Sequence, residues 1–287
     1  MKLRFVAVAL GLLAPALAGC LSVPPPPDTY VALGDSYTAG PVIPNQIRPY
    51  GCLKSDHDYP HLVAPSDGLP KFVDMSCSGA KTDDMTAPQE VDFDGPNPPQ
   101  FTPLNNMTGL VTITIGGNDI GFTDIAINCG TPVPAGHPCQ DKYVVNGVDT
   151  IRQTIDATAP KVAAVLQGIH NRAPRARVIV LAYDAILPED PLVPGTPEGC
   201  YPQMPLAPED VPYLRGVQKY LNDMIEAQAS ANGAEFIDMY ALSIGHDACQ
   251  LPGTRWVEPV TPTSPAAPVH PNQLGMNAAR DAVLAEL

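Results

Sequence analysis

The sequence has few basic residues for its length. Sixteen Lys and Arg stand against 30 Asp and Glu in 287 residues, and the formal net charge is −14. A chain this acidic repels nucleic-acid phosphates and anionic membrane surfaces, which argues strongly against a nucleic-acid function. Aromatic residues make up only 6% of the chain, but 45% of it is apolar, enough for the core of one large α/β domain.

Long hydrophobic runs are also scarce. The clearest one starts at Phe5, follows Lys2 and Arg4, and is too short to span a bilayer, so residues 1–19 are predicted to be a secretion signal. The signal ends in Leu17-Ala18-Gly19 and is followed directly by Cys20. These four residues resemble the bacterial lipobox, which predicts a mature chain that begins at a lipidated Cys20. The alternative is an ordinary signal followed by a chance cysteine.

A proline-rich segment follows the predicted signal. Residues 20–28 include Pro24 to Pro27 and are expected to form a stiff tether that holds a domain off a surface. Because no repeat and no interior low-complexity run marks a further boundary, residues 29–287 are expected to form a single domain, most simply a monomer.

The chain contains no C-x-x-C pair, which weakens a zinc or redox interpretation, so no metal and no cofactor are expected. Six of its seven cysteines lie beyond Cys20, an even number in a chain predicted to reach an oxidising compartment. Three disulfides are therefore expected, with 15 possible pairings. The six are Cys52, Cys77, Cys129, Cys139, Cys200 and Cys249.

Short apolar runs alternate with segments of helical periodicity. One such helix precedes Arg177, with Pro160 near its first turn or at a kink, another contains Leu214 to Ile225, and Asn272 is expected to cap a last one. Alternation of this kind predicts a three-layer, flavodoxin-like α/β sandwich, a five-stranded parallel sheet with helices on both faces. The predicted strands are Thr29–Leu33, Phe72–Met75, Leu110–Ile115, Arg177–Leu181 and Ala234–Ile237.

The first of these strands runs directly into Gly34-Asp35-Ser36. Ser36 would then lie at the carboxyl edge of a parallel sheet, where ligands bind in such folds. A G-x-S-x-G elbow is absent because Thr38 occupies its last position, which argues against the α/β-hydrolase fold.

Two other segments place complementary groups at the same edge. Gly116-Gly117-Asn118 follows the third strand, and its side-chain amide can donate a hydrogen bond to a developing oxyanion. His270 precedes the last helix and can act as a general base. A serine, an amide and a histidine at one edge are the groups that acyl transfer requires.

In this order the segments resemble the motif blocks of the SGNH hydrolases, also called the GDSL esterase and lipase family. The serine block matches at Gly34 to Ser36, the glycine block at Cys77 to Ala80, the asparagine block at Gly116 to Asp119 and, in part, the histidine block at His270-Pro271. The resemblance spans residues 30–278. The cysteines also resemble those of the family's secreted actinobacterial branch.

The resemblance implies a role for each matched residue. Ser36 is the implied nucleophile and His270 the implied base, while the backbone N–H groups of Ser36 and Gly79 and the side chain of Asn118 form the implied oxyanion hole. It also implies consecutive disulfides, Cys52–Cys77, Cys129–Cys139 and Cys200–Cys249.

One position departs from the family pattern. Relatives usually have an aspartate three residues before the histidine, but Ala267 stands there. The expectation is that the backbone carbonyl of Ala267 orients His270, as in relatives that lack the acid. A carboxylate from Asp238 or Asp247 is the alternative.

These features together predict a serine esterase or lipase that hydrolyses a small-molecule or lipid ester, contacts membranes only through its anchor and works in the cell envelope or outside the cell. Two other functions are kept open, a polysaccharide deacetylase of the same fold and a surface lipoprotein that binds a ligand without turnover.

Overall fold

The computed structural model describes residues 1–2, 24–190 and 198–287. Residues 3–19 of the predicted signal and Cys20 lie outside these ranges. Among the described residues, none of the helices combines the length and the hydropathy needed to cross a membrane.

A five-stranded parallel sheet forms the centre of the domain, with strand order β4-β1-β5-β8-β9. All five of these strands were predicted from the sequence, within two residues at each end. The loops add two short antiparallel hairpins that no sequence pattern indicated. The strands are β1 Thr29–Gly34, β2 Gln46–Ile47, β3 Lys54–Ser55, β4 Lys71–Asp74, β5 Thr108–Thr114, β6 Val144–Val145, β7 Val148–Asp149, β8 Arg177–Leu181 and β9 Glu235–Ile237.

Helices cover both faces of the sheet, as the predicted three-layer sandwich requires. They are α1 Ser36–Ala39, α2 Tyr59–Val63, α3 Phe122–Cys129, α4 Pro138–Tyr143, α5 Thr150–Arg172, α6 Val211–Ala231, α7 Met239–Leu242 and α8 Gln273–Glu286. Single 3₁₀ turns lie at Tyr50–Cys52, Thr82–Met85 and Pro208–Asp210.

Each face of the sheet has its own apolar core. Buried residues of α5 and α6, such as Leu166 and Leu221, pack on one face. Buried residues of α2 and α8, such as Val63 and Val283, pack on the other. Because both faces are covered, the carboxyl ends of the strands are the edge at which polar side chains reach the surface.

Helix α5 begins earlier than the sequence indicated. Asp149 caps it by accepting from the backbone N–H groups of Ile151 and Arg152, so Pro160 lies in the helix interior and not in the first turn. The placement near the first turn was wrong because the buried residues Ile151 and Ile155 extend the apolar face toward the N-terminus.

The amino end of β1 lies at the opposite edge of the sheet from the carboxyl strand ends. There the backbone N–H groups of Asp28 and Thr29 donate to the carbonyl of Met107, and the Arg175 guanidinium donates to the carbonyl of Pro25 at 2.7 Å. The proline-rich segment therefore contacts the domain at the edge where β1 begins.

Candidate active site

Ser36 is the first residue of the one-turn helix α1, directly after β1. The turn between them requires Gly34, which has φ +128°, and a Cβ there would lie 2.5 Å from the carbonyl oxygen of Thr114. The Asp35 carboxylate caps the turn by accepting from the backbone N–H of Tyr37 at 2.9 Å. These contacts fix the Ser36 side chain at the carboxyl edge of the sheet.

The structure brings Ser36 and His270 together although 234 positions separate them in sequence, with 2.8 Å between Ser36 Oγ and His270 Nε2. This is the hydrogen-bond distance expected between a nucleophile and its base. His270 lies just before α8, whose N-terminus is capped by the Asn272 side chain as predicted.

The group that contacts the other ring nitrogen differs from the one expected. His270 Nδ1 lies 2.7 Å from the backbone carbonyl oxygen of Pro268, and not on the carbonyl of Ala267. The Ala267 carbonyl instead accepts the backbone N–H of His270 at 3.2 Å. Val269, between them, has the left-handed φ of +62°, and the turn there leaves the Pro268 carbonyl beside the ring.

The carboxylates of Asp238 and Asp247, the alternative partners of the His270 ring, hydrogen-bond to other groups. The Asp238 side chain accepts from the backbone N–H of Ala241, and the Asp247 side chain accepts from Cys249 and Gln250. Among the described residues, His270 Nδ1 therefore has a neutral carbonyl as its hydrogen-bond partner.

This carbonyl determines the protonation pattern of the imidazole. A carbonyl oxygen only accepts, so Nδ1 carries the proton and Nε2 presents its lone pair to the Ser36 hydroxyl. Burial lowers the pKa of His270, and the hydrogen bond to Pro268 opposes that shift as the smaller effect. The ring is thus neutral at pH 7, which is the state a general base requires.

The segment that carries His270, residues 255–272, is called the histidine loop below. Tyr37 Oη donates to the carbonyl of Val269 at 2.9 Å, and the backbones of Glu258 and Val269 pair at 3.0 Å. Beneath them lies a buried ion pair, Arg255–Glu258 at 3.0 Å, with side chains 2% and 0% exposed. The Glu258 carboxylate also accepts from the Asn272 side chain at 2.8 Å, which ties the loop to α8.

The groups named as oxyanion donors line the same cavity as Ser36 and His270. Gly79 follows the Cys52–Cys77 disulfide, and the backbone N–H of Cys77 donates to the Gly34 carbonyl at 3.0 Å. The Asn118 side-chain amide donates to the Ala80 carbonyl at 3.0 Å. Ser36, Gly79 and Asn118 all face this cavity.

The sequence interpretation missed one buried residue of this site, Tyr183. Its hydroxyl contacts the Asp35 carboxylate at 2.5 Å and the backbone N–H of Gly117 at 2.7 Å. Burial raises the pKa of Asp35 to about 7, and the hydrogen bond from Tyr183 opposes this. The position of Tyr183, two residues after β8 at the same sheet edge, was the available signal.

A predominantly apolar cavity of about 270 Å³ extends from the serine. Side chains of α3 and α6 form its walls together with the segment around Met204. Such a lining suits an alkyl group and offers little to a charged one. The apolar wall residues include Phe122, Ile125, Leu187, Leu214 and Leu221.

The three disulfides have the consecutive pairing that the resemblance implied. They join Cys52 to Cys77, Cys129 to Cys139 and Cys200 to Cys249. The first holds the glycine block, the second joins α3 to α4, and the third fixes the chain before Met204. Each therefore stabilises a loop or helix beside the cavity.

A second group of polar side chains lies near α2. His61 Nδ1 lies 2.7 Å from the Asp58 carboxylate and 3.7 Å from that of Asp74. The buried ammonium of Lys54 lies 3.6 Å from the same Asp74 carboxylate, so this group already contains its own cation.

Comparison with known proteins agrees with this geometry. The family model of the GDSL-like lipase/acylhydrolase family matches residues 32–278. Lipase 2 of Streptomyces coelicolor is 41% identical over 254 residues, which cover 86% of this chain and 81% of that protein. An esterase of Streptomyces scabiei is 31% identical, in a match that covers 86% of this chain and 81% of that protein.

Solved structures show the same architecture. Phospholipase A1 of Streptomyces albidoflavus NA297 superposes with a TM-score of 0.74 at 26% identity, over 91% of this chain and 100% of that chain. The extracellular lipase of Streptomyces rimosus gives 0.71 at 28% identity, again over 91% and 100%. The matched residues, the identity to curated relatives and the shared fold show that the chain belongs to the GDSL-like lipase/acylhydrolase family.

Proposed function

We propose that the protein hydrolyses carboxylic acyl esters with Ser36 as nucleophile and His270 as base. The observation that carries this proposal is the 2.8 Å contact between Ser36 Oγ and His270 Nε2, in a cavity that Gly79 and Asn118 also line. Family membership supports it, since the matched family is one of lipases and acylhydrolases.

The proposed reaction has two halves. Ser36 Oγ attacks the ester carbonyl carbon while His270 Nε2 takes its proton, and the carbonyl oxygen becomes an oxyanion that accepts from the N–H groups of Ser36 and Gly79 and the amide of Asn118. Collapse breaks the ester bond, and the alcohol leaves with the proton from His270. Water then attacks the acyl-enzyme, with the same base, and releases the carboxylic acid.

The neutral Pro268 carbonyl has a defined part in this cycle. It fixes the ring orientation and keeps the proton on Nδ1. A carbonyl dipole stabilises the imidazolium less than a carboxylate does, so we expect the base to work at a lower pKa than in relatives with the aspartate.

The cavity supports an uncharged ester with an alkyl acyl chain as the substrate class. An acetyl group would leave most of the apolar wall unused, which disfavours the polysaccharide deacetylase alternative. The net charge of −14 likewise disfavours an anionic substrate.

The length of the acyl chain gives a test of this substrate class. Each methylene group that is buried contributes about 0.8 kcal/mol, so kcat/KM should rise about fourfold per CH₂ until the cavity is full. A p-nitrophenyl ester series measures this, and a series that declines from acetate onward would contradict it.

Catalysis by Ser36 is tested with Ser36→Ala and Asn118→Ala proteins. Loss of a single oxyanion donor typically lowers turnover about 10²- to 10³-fold, and loss of the nucleophile should remove it almost entirely. A fluorophosphonate probe should label the wild type and leave Ser36→Ala unlabelled. Undiminished hydrolysis by Ser36→Ala would refute the assignment, and absence of both labelling and hydrolysis in the wild type would favour the binding alternative.

We further propose export and lipid anchoring, with residues 1–19 removed and Cys20 lipidated. The lipobox-like sequence and the three disulfides, which suit an oxidising compartment, support this. Mass spectrometry of the protein from a native-type host should find an N-terminal diacylglyceryl cysteine, which Cys20→Ala should abolish. An unmodified mature N-terminus would indicate the ordinary secretion signal instead.

A further inference from the structure

Tyr183 lies between the two parts of the site that must act on one carbonyl group. It follows β8 at the carboxyl edge of the sheet, and its side chain is 6% exposed. Its ring packs edge-on against Tyr37 with 4.9 Å between the ring centroids. The hydroxyl is thereby held at one position beside the nucleophile turn.

The directions of its hydrogen bonds follow from the donors available. The backbone N–H of Gly117 can only donate, so the Tyr183 oxygen accepts it at 2.7 Å. The single hydroxyl proton is then left for the Asp35 carboxylate at 2.5 Å. One hydroxyl therefore joins the residue before Ser36 to the residue before Asn118.

Gly117 shows that this contact is tightly fitted. A Cβ at that position would lie 2.8 Å from the Tyr183 hydroxyl oxygen and 2.9 Å from its ring carbon Cζ, distances that no side chain tolerates without a shift. Gly117 has no positive φ, in contrast to Gly116. The second glycine of the block is therefore explained by the approach of Tyr183 and not by backbone conformation.

We propose that Tyr183 is a positioning residue that fixes the distance between the Ser36 nucleophile and the Asn118 oxyanion donor. This inference rests on the proposed function. Each end of the bridge lies one peptide unit from a reacting group, so a small shift at Tyr183 is transmitted directly to Ser36 or Asn118. We expect Tyr183 to act in the transition state, because only there does one carbonyl group need the Ser36 nucleophile on its carbon and the Asn118 amide on its oxygen at the same time.

The central test is Tyr183→Phe, which keeps the ring packing and removes the bridge. We expect kcat for a p-nitrophenyl ester to fall about 10-fold or more while KM stays within about twofold, since a misplacement of 1 Å near the reacting atoms can cost about 10²-fold. Tyr240→Phe is the matched control. It removes a partly buried hydroxyl that bonds to Glu189 outside the cavity, and kcat should be unchanged.

A double variant separates positioning from general damage. If Tyr183 acts by placing Asn118, then Tyr183→Phe should cost less than about twofold in an Asn118→Ala background, because the two losses are not additive. An equal fall in kcat in both backgrounds, or an unchanged kcat in the single variant, would overturn the proposal. Thermal midpoints establish that the variants fold.

Failure of this inference is distinguishable from failure of the proposed function. If Ser36→Ala hydrolyses esters as fast as the wild type, the proposed function itself is refuted. If hydrolysis requires Ser36 but Tyr183→Phe does not change kcat, only the positioning role of Tyr183 is refuted.

Discussion

The two members of the Ser36–His270 pair are held in opposite ways. The nucleophile loop, residues 34–37, is anchored by the end of a central strand and by a buried carboxylate, that of Asp35. The histidine loop has no regular strand or helix before α8, and its imidazole contacts a neutral carbonyl. The sheet thus determines where the serine lies, whereas the histidine depends on tertiary contacts that are distant in sequence. Substitutions far from the chemistry should therefore affect the histidine more than the serine.

The largest expected effect comes from the buried ion pair beneath the histidine loop. Arg255→Met leaves the fully buried Glu258 carboxylate without its cation, and breaking a buried pair in this way costs about 3–5 kcal/mol. Urea denaturation measures the loss of unfolding free energy. The control is Arg177→Met, which breaks the exposed pair with Glu235 and should cost about 1 kcal/mol or less. Similar losses in the two variants would contradict the assigned role of the buried pair.

The next effect is the pH dependence of the unfolding free energy that a buried carboxyl near the nucleophile loop causes. Burial raises the pKa of Asp184, next to Tyr183, from 3.8 to about 7. Between these values the unfolded chain releases the proton that the folded chain retains, so stability falls as pH rises from about 4 to 7. Asp184→Asn should reduce this fall, by at most about 4 kcal/mol for the whole shift. Unfolding free energies at pH 4.5 and pH 8 test this, and an unchanged difference would contradict it.

A smaller effect is expected where the two loops meet. Tyr37→Phe removes the hydrogen bond to the Val269 carbonyl, worth about 1 kcal/mol, and frees the turn before His270. We expect kcat to fall about fivefold with little change in KM. The rate of fluorophosphonate labelling of Ser36 should fall in parallel, because both reactions need the base in place. A rise in KM alone would mean that Tyr37 contributes to substrate binding instead.

The smallest effect is expected from restoring the missing acid. Ala267→Asp places a carboxylate where relatives have one, which should raise the pKa of His270 and move the acid limb of the kcat/KM profile by less than about one pH unit. The change in rate should stay within a few-fold because the Pro268 carbonyl already orients the ring. Pro265→Asp adds the same charge at an exposed position of the loop and should shift the profile less. Equal shifts would indicate a long-range charge effect.

Sequence patterns predicted the parts of the molecule that the sheet determines. The five central strands came from runs of β-branched residues, and because parallel strands end at one edge, Ser36 and Asn118 could be placed there. His270 was found because a motif marks it. Ser36 and Asn118 follow strands, and His270 comes two residues before the Asn272 cap of α8, so each is near an element boundary that is visible in the sequence.

Other features had no such signal. The Pro268 carbonyl orients His270 through the left-handed turn at Val269, and a backbone acceptor leaves no trace in residue type. Tyr183 belongs to no matched motif block, although Gly117 is small because of it. The walls of the cavity come from loops and helices that disulfides hold together, and their conformation depends on contacts distant in sequence.

The edge at which the chain enters β1 decides where the protein can be attached without blocking its cavity. Thr29 begins the strand, and Ser36 follows its far end, about 20 Å away for six extended residues. The Arg175 guanidinium also donates to the Pro25 carbonyl at that edge, at 2.7 Å, so the chain joins the domain at the end of β1 opposite Ser36. A tag or a solid support linked on the amino-terminal side would therefore attach away from Ser36 and leave the cavity free for substrate.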